Sequence, residues 1–286
     1  MRKRKSNKNI RRTFQLFMLI GILIFSVAEV TFNPIDQKRD DYLWNNAEKS
    51  NNAKHTISSN LKEVDKSLVE PIYRVGTEDK KIAITFDVNW AEKEHLYEIL
   101  DVLDKHNVKS TFFVMGKWLV YPDDSNVEKL KEIQKRGHEI GNHSYSHADF
   151  KKVSEEKMIK EIKQTEEAIN KIIGVKTELF RFPSGSYNEG GVKVAKSLGY
   201  RAIQWDVDSV DWKELGLERE YSRVIKNVKP GSIVLFHNDG KYTPENLERL
   251  IPKLKEQGYE FVTLGQLLYK DNFYIDNEGV QRLKAN

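Results

Sequence analysis

The stretch "KIAITFDVNW", Lys81 to Trp90, decides the architecture. An alternating apolar strand runs into a carboxylate, Asp87, and Val88 follows directly. Six more short apolar runs succeed it: "STFFV", "HEIGN", "LFRF", "RAIQW", "SIVLF" and "EFVTL". Amphipathic stretches separate them. Glu92 to His106 carries Leu96, Ile99, Leu100 and Leu103 on one face, and Val127 to Arg136 stops at Gly137. "SEEKMIKEIKQTEEAINKIIG" opens on Ser154 as N-cap and closes at Gly174, with Met158, Ile159, Ile162, Ile169, Ile172 and Ile173 as its apolar stripe. Thr243-Pro244 starts a further helix that ends at Gly258. Strands alternating with helices imply a parallel sheet with right-handed crossovers. Seven such units in about 190 residues suit a closed or nearly closed β/α barrel. On pattern alone a doubly wound open sheet remains the alternative.

The chain has 286 residues and no cysteine, which excludes disulfides, thiolate nucleophiles and cysteine-held zinc. Its formal charge of +4 comes from the first twelve residues, where Arg2, Lys3, Arg4, Lys5, Lys8, Arg11 and Arg12 stand without an acid. The remainder has 40 basic against 43 acidic residues, a net −3, so no nucleic-acid footprint is expected. "TFQLFMLIGILIFSVAEVTF", Thr13 to Phe32, is uncharged up to Glu29. Basic residues before an apolar run predict a cytoplasmic N-terminus and a remainder sent across the membrane. The segment reads as an uncleaved single-pass anchor, or as a signal peptide cut after "SVA" near Ala28. From Asn33 to about Gly76 the chain is polar and aperiodic and reads as a stalk.

Reactive side chains gather at the strand ends. Asp87 follows the first strand, and His143 and His147 follow the third in "GNHSYSH". Arg181 ends the fourth in "FRFPSG"; Asp206, Asp208, Asp211 and Trp212 follow the fifth in "QWDVDSVDW"; His237 follows the sixth in "IVLFHND". Such a shared rim is where barrel enzymes assemble their active sites. His-x3-His beside a carboxylate suits a divalent metal. Arg181 between apolar residues needs a buried anionic partner, which Asp87 provides. Trp212 reads equally as core or as a sugar-stacking aromatic, while His55, His95, His106 and His138 read as structural or surface histidines.

"TFD", "HSYSH", "RFPSG", "DSVDW" and "LFH", in that order, resemble the polysaccharide deacetylases of the NodB-homology type, carbohydrate esterase family 4. The resemblance covers roughly Lys80 to Leu268 and looks most like the sporulation-associated, PdaB-like branch. It implies a distorted (β/α) barrel over residues 77–270, a tail over 271–286, and a zinc or cobalt ion. It also implies hydrolysis of N-acetyl groups on N-acetylglucosamine-type residues of a cell-wall glycan such as peptidoglycan; the N-terminal segment predicts that the working domain is extracytoplasmic, and a monomer is expected. Carried across, Asp87 matches the catalytic base, His143 and His147 the metal ligands, and Arg181 the partner of the base. Asp208 matches the acid that tunes the catalytic His237, and Trp212 and Leu235 match the walls of the acetyl pocket. Ser184 stands where a backbone N–H holds the oxyanion. Val88 departs from the family's "TFDD", whose second Asp binds metal. Three accounts of that departure stay open: Asn89 supplies the oxygen, a weaker metal is held with extra water, or activity is lost and glycan binding kept.

Overall fold

The computed structural model describes residues 70–121 and 126–285, within the compact unit His55–Asn286. Eight strands form one parallel sheet: β2 (Lys81–Val88), β3 (Thr111–Val114), β4 (Glu139–Asn142), β5 (Leu179–Phe180), β6 (Arg201–Ala202), β7 (Val207–Asp208), β8 (Ile233–His237) and β9 (Glu260–Phe261). Their order is β6-β5-β4-β3-β2-β8-β7, and β9 pairs with the first residues of β2. All seven expected strands are present. The eighth, β7, has two residues, too few for any periodicity to announce it.

The sheet curls as an open barrel rather than a closed one, since among the described residues β6 and β7 pair on one side only. Residues 72–75 reach across that opening. Ile72 bridges Ile203, Arg74 bridges Ser232, and Val75 donates to the Gly231 carbonyl. These residues fall in the expected stalk, yet Ile72 and Val75 are buried, so the folded body starts earlier than the composition suggests. The expected C-terminal tail is also structured. β10 (Phe273–Ile275) and β11 (Val280–Leu283) form a hairpin, and β1 (Arg74–Val75) adds to it in parallel. The predicted membrane segment 13–32 lies outside the described residues. No helix among the described residues is long and apolar enough to cross a membrane.

Strand alternation sorts the side chains. On β2, Ile82, Ile84, Phe86 and Val88 join an outer apolar cluster with helix α1 (Leu96–Lys105), where Phe86 stacks on Phe112 at 4.7 Å. Each fully buried aliphatic side chain there contributes ~1.5–3 kcal/mol. Ala83, Thr85 and Asp87 face the barrel interior, as do Phe113 of β3 and Ile233 of β8. The interior is tight at Gly141 of β4, where a Cβ would lie 2.6 Å from the Phe113 ring.

Three more helices flank the sheet, the first of them not expected from the sequence and the other two as expected. α2 (Gly116–Val120) follows β3, α3 (Val127–Lys135) precedes β4, and α4 (Glu155–Ile173) is capped by Ser154, which accepts from Lys157 N. Gly174 ends α4 at φ 69°. Helix α1 begins at Leu96, four residues past its predicted start, because Glu92 to His95 remain in the loop from the strand end.

Candidate active site

Asp87, His143, Arg181 and His237 all lie on the inner face at the C-terminal ends of parallel strands, as the strand periods require. Asp87 and His237 are register partners on β2 and β8, side by side. Arg181 is fully buried. One of its amino groups donates to Asp87 Oδ1 at 2.9 Å and to Thr85 Oγ1 at 2.9 Å, and the other to the Gln204 carbonyl at 3.1 Å. Its guanidinium lies 4.1 Å from the centre of the Phe113 ring. A cation so enclosed tolerates burial only with its anion in place. Burial pushes the Asp87 carboxyl up, but the pull of His143 (when it is protonated), Arg181 and His237, with the Arg181 hydrogen bond, outweighs it and holds the acid below its usual range.

His143 and His147 come together, with ring centres 5.2 Å apart. His143 Nδ1 lies 3.0 Å from the Arg181 carbonyl, which can only accept, so the proton sits on Nδ1 and the lone pair on Nε2. That Nε2 is buried without a hydrogen-bond partner, 3.5 Å from Asp87 Oδ2. Burial holds His143 down at about 4 despite the pull of Asp87, and it lowers His147 too. A neutral imidazole such as His143, its lone pair aimed by the backbone carbonyl that holds its other nitrogen, is what a divalent metal requires. The amide oxygen of Asn89 is likewise buried and unpaired. The two imidazoles suit a divalent cation, and the Asn89 oxygen lies just past the end of the strand that carries Asp87. Among the described residues no group of three His, Cys, Asp or Glu side chains is arranged to hold one.

The loop bearing the histidines is fixed from an unexpected direction. Glu161 of α4 is fully buried and accepts from the Tyr145 and Ser146 amides and the Ser146 hydroxyl at 2.7–2.9 Å. Ser144 and His147 adopt left-handed backbone, at φ 64° and 60°, tied by Ser144 N to Asn142 Oδ1 and His147 N to Ser144 Oγ. A glutamate inside an apolar helix stripe was the available signal for this support.

The acid on His237 is Asp211, not Asp208. Asp211 Oδ1 lies 2.7 Å from His237 Nδ1, while Oδ2 accepts from the His237 amide and the Thr243 hydroxyl. Asp208 instead caps its own turn by accepting from Val210 N at 2.8 Å. Two aspartates three residues apart are interchangeable on paper. The left-handed Val210 between them, φ 58°, turns the chain so that only the second reaches the ring. Burial works against a charged His237, but the Asp211 bond and charge, with Asp87 and Asp239 beyond, raise it to about 9.

Val88 does not point into the site. β2 stays regular through Val88, which pairs with Val114 and packs fully buried in the outer cluster. Asn238 then clamps the strand end, bonding the Asn89 N–H and C=O. Ser184 adopts the left-handed conformation at φ 53° within a 3-10 turn after β5. Leu235 is buried on the inner face between Thr85 and Asp208 in register, and Trp212 is exposed beside Lys213.

Comparison with known proteins agrees with this geometry. The polysaccharide deacetylase family profile matches residues 74–203. The uncharacterised YlxY of Bacillus subtilis is 36% identical over 199 residues, covering 70% of this chain and 60% of its own. The chain thus spans less than two thirds of that relative. The peptidoglycan-N-acetylmuramic acid deacetylase PdaA of B. subtilis is 35% identical over 211 residues, 71% of this chain and 78% of its own. Among solved structures, a CE4 family pseudoenzyme from Bacillus anthracis matches with TM-score 0.66 and 32% identity, covering 76% of this chain and 81% of that one. A mutant of it described as having restored enzymatic activity matches with the same score at 33% identity, over 76% and 84%. The chain belongs to the polysaccharide deacetylase family, of the CE4 type.

Proposed function

We propose that this protein removes N-acetyl groups from N-acetylglucosamine-type residues of a cell-wall glycan, peptidoglycan in the first place, with a divalent metal, zinc or cobalt. It would work outside the cytoplasm, held by the apolar segment 13–32 or released near Ala28, as a monomer that binds glycan and no nucleic acid. The observation that carries the reading is the register pair Asp87–His237: an ionised carboxylate and a cationic imidazole side by side on one rim. A protein that merely binds sugar has no use for a base and an acid set to opposite states.

His143, His147 and the Asn89 oxygen would hold the metal, which when bound supplies Lewis acidity toward the acetyl carbonyl and its attacking water. Asp87, kept ionised and aligned by Arg181, takes the proton from that water. The backbone N–H at Ser184 would stabilise the oxyanion. His237 gives its Nε2 proton to the departing amine while Asp211 keeps Nδ1 protonated and the ring in place. Leu235 and Trp212 wall the acetyl group.

A second reading, a catalytically impaired glycan-binding protein, draws on one specific observation. Val88 is locked in the apolar core, so the position where the family carries its second aspartate offers no carboxylate to the two histidines. Acetate release from N-acetylglucosamine oligomers and peptidoglycan, with added zinc or cobalt and with chelator, separates the two. Metal-dependent acetate supports the enzyme; glycan binding that ignores chelator, with no acetate, supports the binder.

A further inference from the structure

Among the described residues, five large apolar side chains are exposed: Trp90, Tyr97, Tyr121, Trp212 and Leu283. Two of them, Trp90 at 43% and Tyr121 at 42%, form one platform beside the site. Their rings meet edge to face, 5.7 Å between centres, and Trp90 Nε1 donates to the Tyr121 carbonyl at 3.2 Å. The ammonium of Lys117 lies 5.7 Å from the Trp90 ring centre and 5.1 Å from that of Tyr121. An exposed indole held in place by its own N–H loses little freedom when a ligand stacks on it.

The platform is fastened to the reactive groups. Trp90 is three residues beyond Asp87, past the end of β2 clamped by Asn238. Lys117 lies in α2, whose first two amides donate to the Ser144 and Tyr145 carbonyls, between His143 and His147. Motion of the platform would therefore move both loops. Trp212 in turn follows Asp211, the acid that holds His237. Each of the two exposed tryptophans is thus within three residues of a reactive carboxylate and has a lysine ammonium over its ring. Aromatic faces accept the apolar faces of sugar rings, and a cation at their edge attracts a carboxylate.

We propose that Trp90, Tyr121 and Lys117 form a glycan subsite. It holds the sugar next to the one presented to Asp87 and His237, and Lys117 favours strands in which that neighbour bears a carboxylate. The inference rests on the cell-wall glycan reading above. A peptide-free peptidoglycan strand, with carboxylates on alternate sugars, meets it better than a neutral chitin-type strand.

The test measures binding calorimetrically, on the full chain with native Asp87, held metal-free by chelator so that nothing turns over. The probes are N-acetylglucosamine tetrasaccharide and a peptide-free tetrasaccharide of alternating N-acetylglucosamine and N-acetylmuramic acid. Trp90→Ala is expected to weaken both by roughly 5–10-fold, and Trp90→Phe to stay within about twofold of the parent. Lys117→Gln is expected to weaken the carboxylate-bearing probe by roughly 3–5-fold and leave the neutral one unchanged. If Trp90→Ala and the parent bind both probes equally, the subsite is wrong. If the parent binds neither probe, the subsite is equally overturned. Acetate release by the same protein with zinc added, measured in parallel, reports separately on the deacetylase reading. Equal loss of both probes in Lys117→Gln would remove the carboxylate preference.

Discussion

His143 and His237 are both enclosed in protein, both have an aspartate within reach, and they hold opposite protonation states. His143 sits 3.5 Å from Asp87, but that carboxylate is already engaged by the buried Arg181, and the Nδ1–H of the ring goes to a neutral carbonyl. Burial then decides, and the ring is neutral, at about 4. His237 has Asp211 to itself at 2.7 Å, with only amides and a hydroxyl sharing that carboxylate. There the ion pair defeats burial and the ring is cationic up to about 9. Which carboxylate is free, rather than how deep the ring lies, separates a metal-type histidine from an acid-type one.

The sharpest break in this division is Asp87→Asn. It removes the base while leaving both imidazoles, so acetate release should fall by ~10²–10⁴-fold with metal content retained by elemental analysis. Turnover within a few-fold of the parent would take Asp87 out of the chemistry. Arg181→Met strips the cation from the neutral half and leaves Asp87 buried alone. Urea denaturation should show a loss of ~3–5 kcal/mol.

Asp211→Asn attacks the charged half. A histidine raised from 6.5 to about 9 stabilises the fold by ~3 kcal/mol below pH 6.5; that contribution declines as pH rises and is gone above pH 9. Asp211→Asn should therefore cost about that much at pH 6 and far less at pH 10. Asp208→Asn, which loses one turn hydrogen bond, should cost ~1 kcal/mol with little pH dependence. Equal pH profiles for the two variants would return the role to Asp208. Val88→Ala should cost ~1–2 kcal/mol of stability with metal affinity unchanged, since Val88 packs outward. A change in metal affinity there would mean that the strand end turns inward after all.

Most of this site was legible in the sequence because strand alternation and the shared rim are periodic facts. Asp87, His143, Arg181 and His237 each fall on an inner position at a strand end, and the order of the five motifs pointed to the family. What escaped depends on single backbone torsions or on distant elements. The left-handed Val210 selects Asp211 over Asp208, and nothing in "DSVDW" announces that torsion. β2 remains regular to Val88, which buries that residue in the outer core rather than turning it toward the histidines. Glu161 reaches the histidine loop from α4, fifteen residues on from Ser146. The hairpin β10–β11 and its partner β1 lay in stretches whose polar composition hid Ile72, Val75, Ile275 and Val280, all buried.

The central claim, that His237 is the acid half because Asp211 holds it charged, is tested most directly by an NMR titration. The ring resonances of His237 in the metal-free protein would be followed from pH 5 to 10, with Asp211→Asn alongside. The account predicts a midpoint near 9 in the parent, as the ion pair requires, and a fall of roughly two units or more in the variant. A parent midpoint at or below 6.5, or a variant that titrates like the parent, would contradict it.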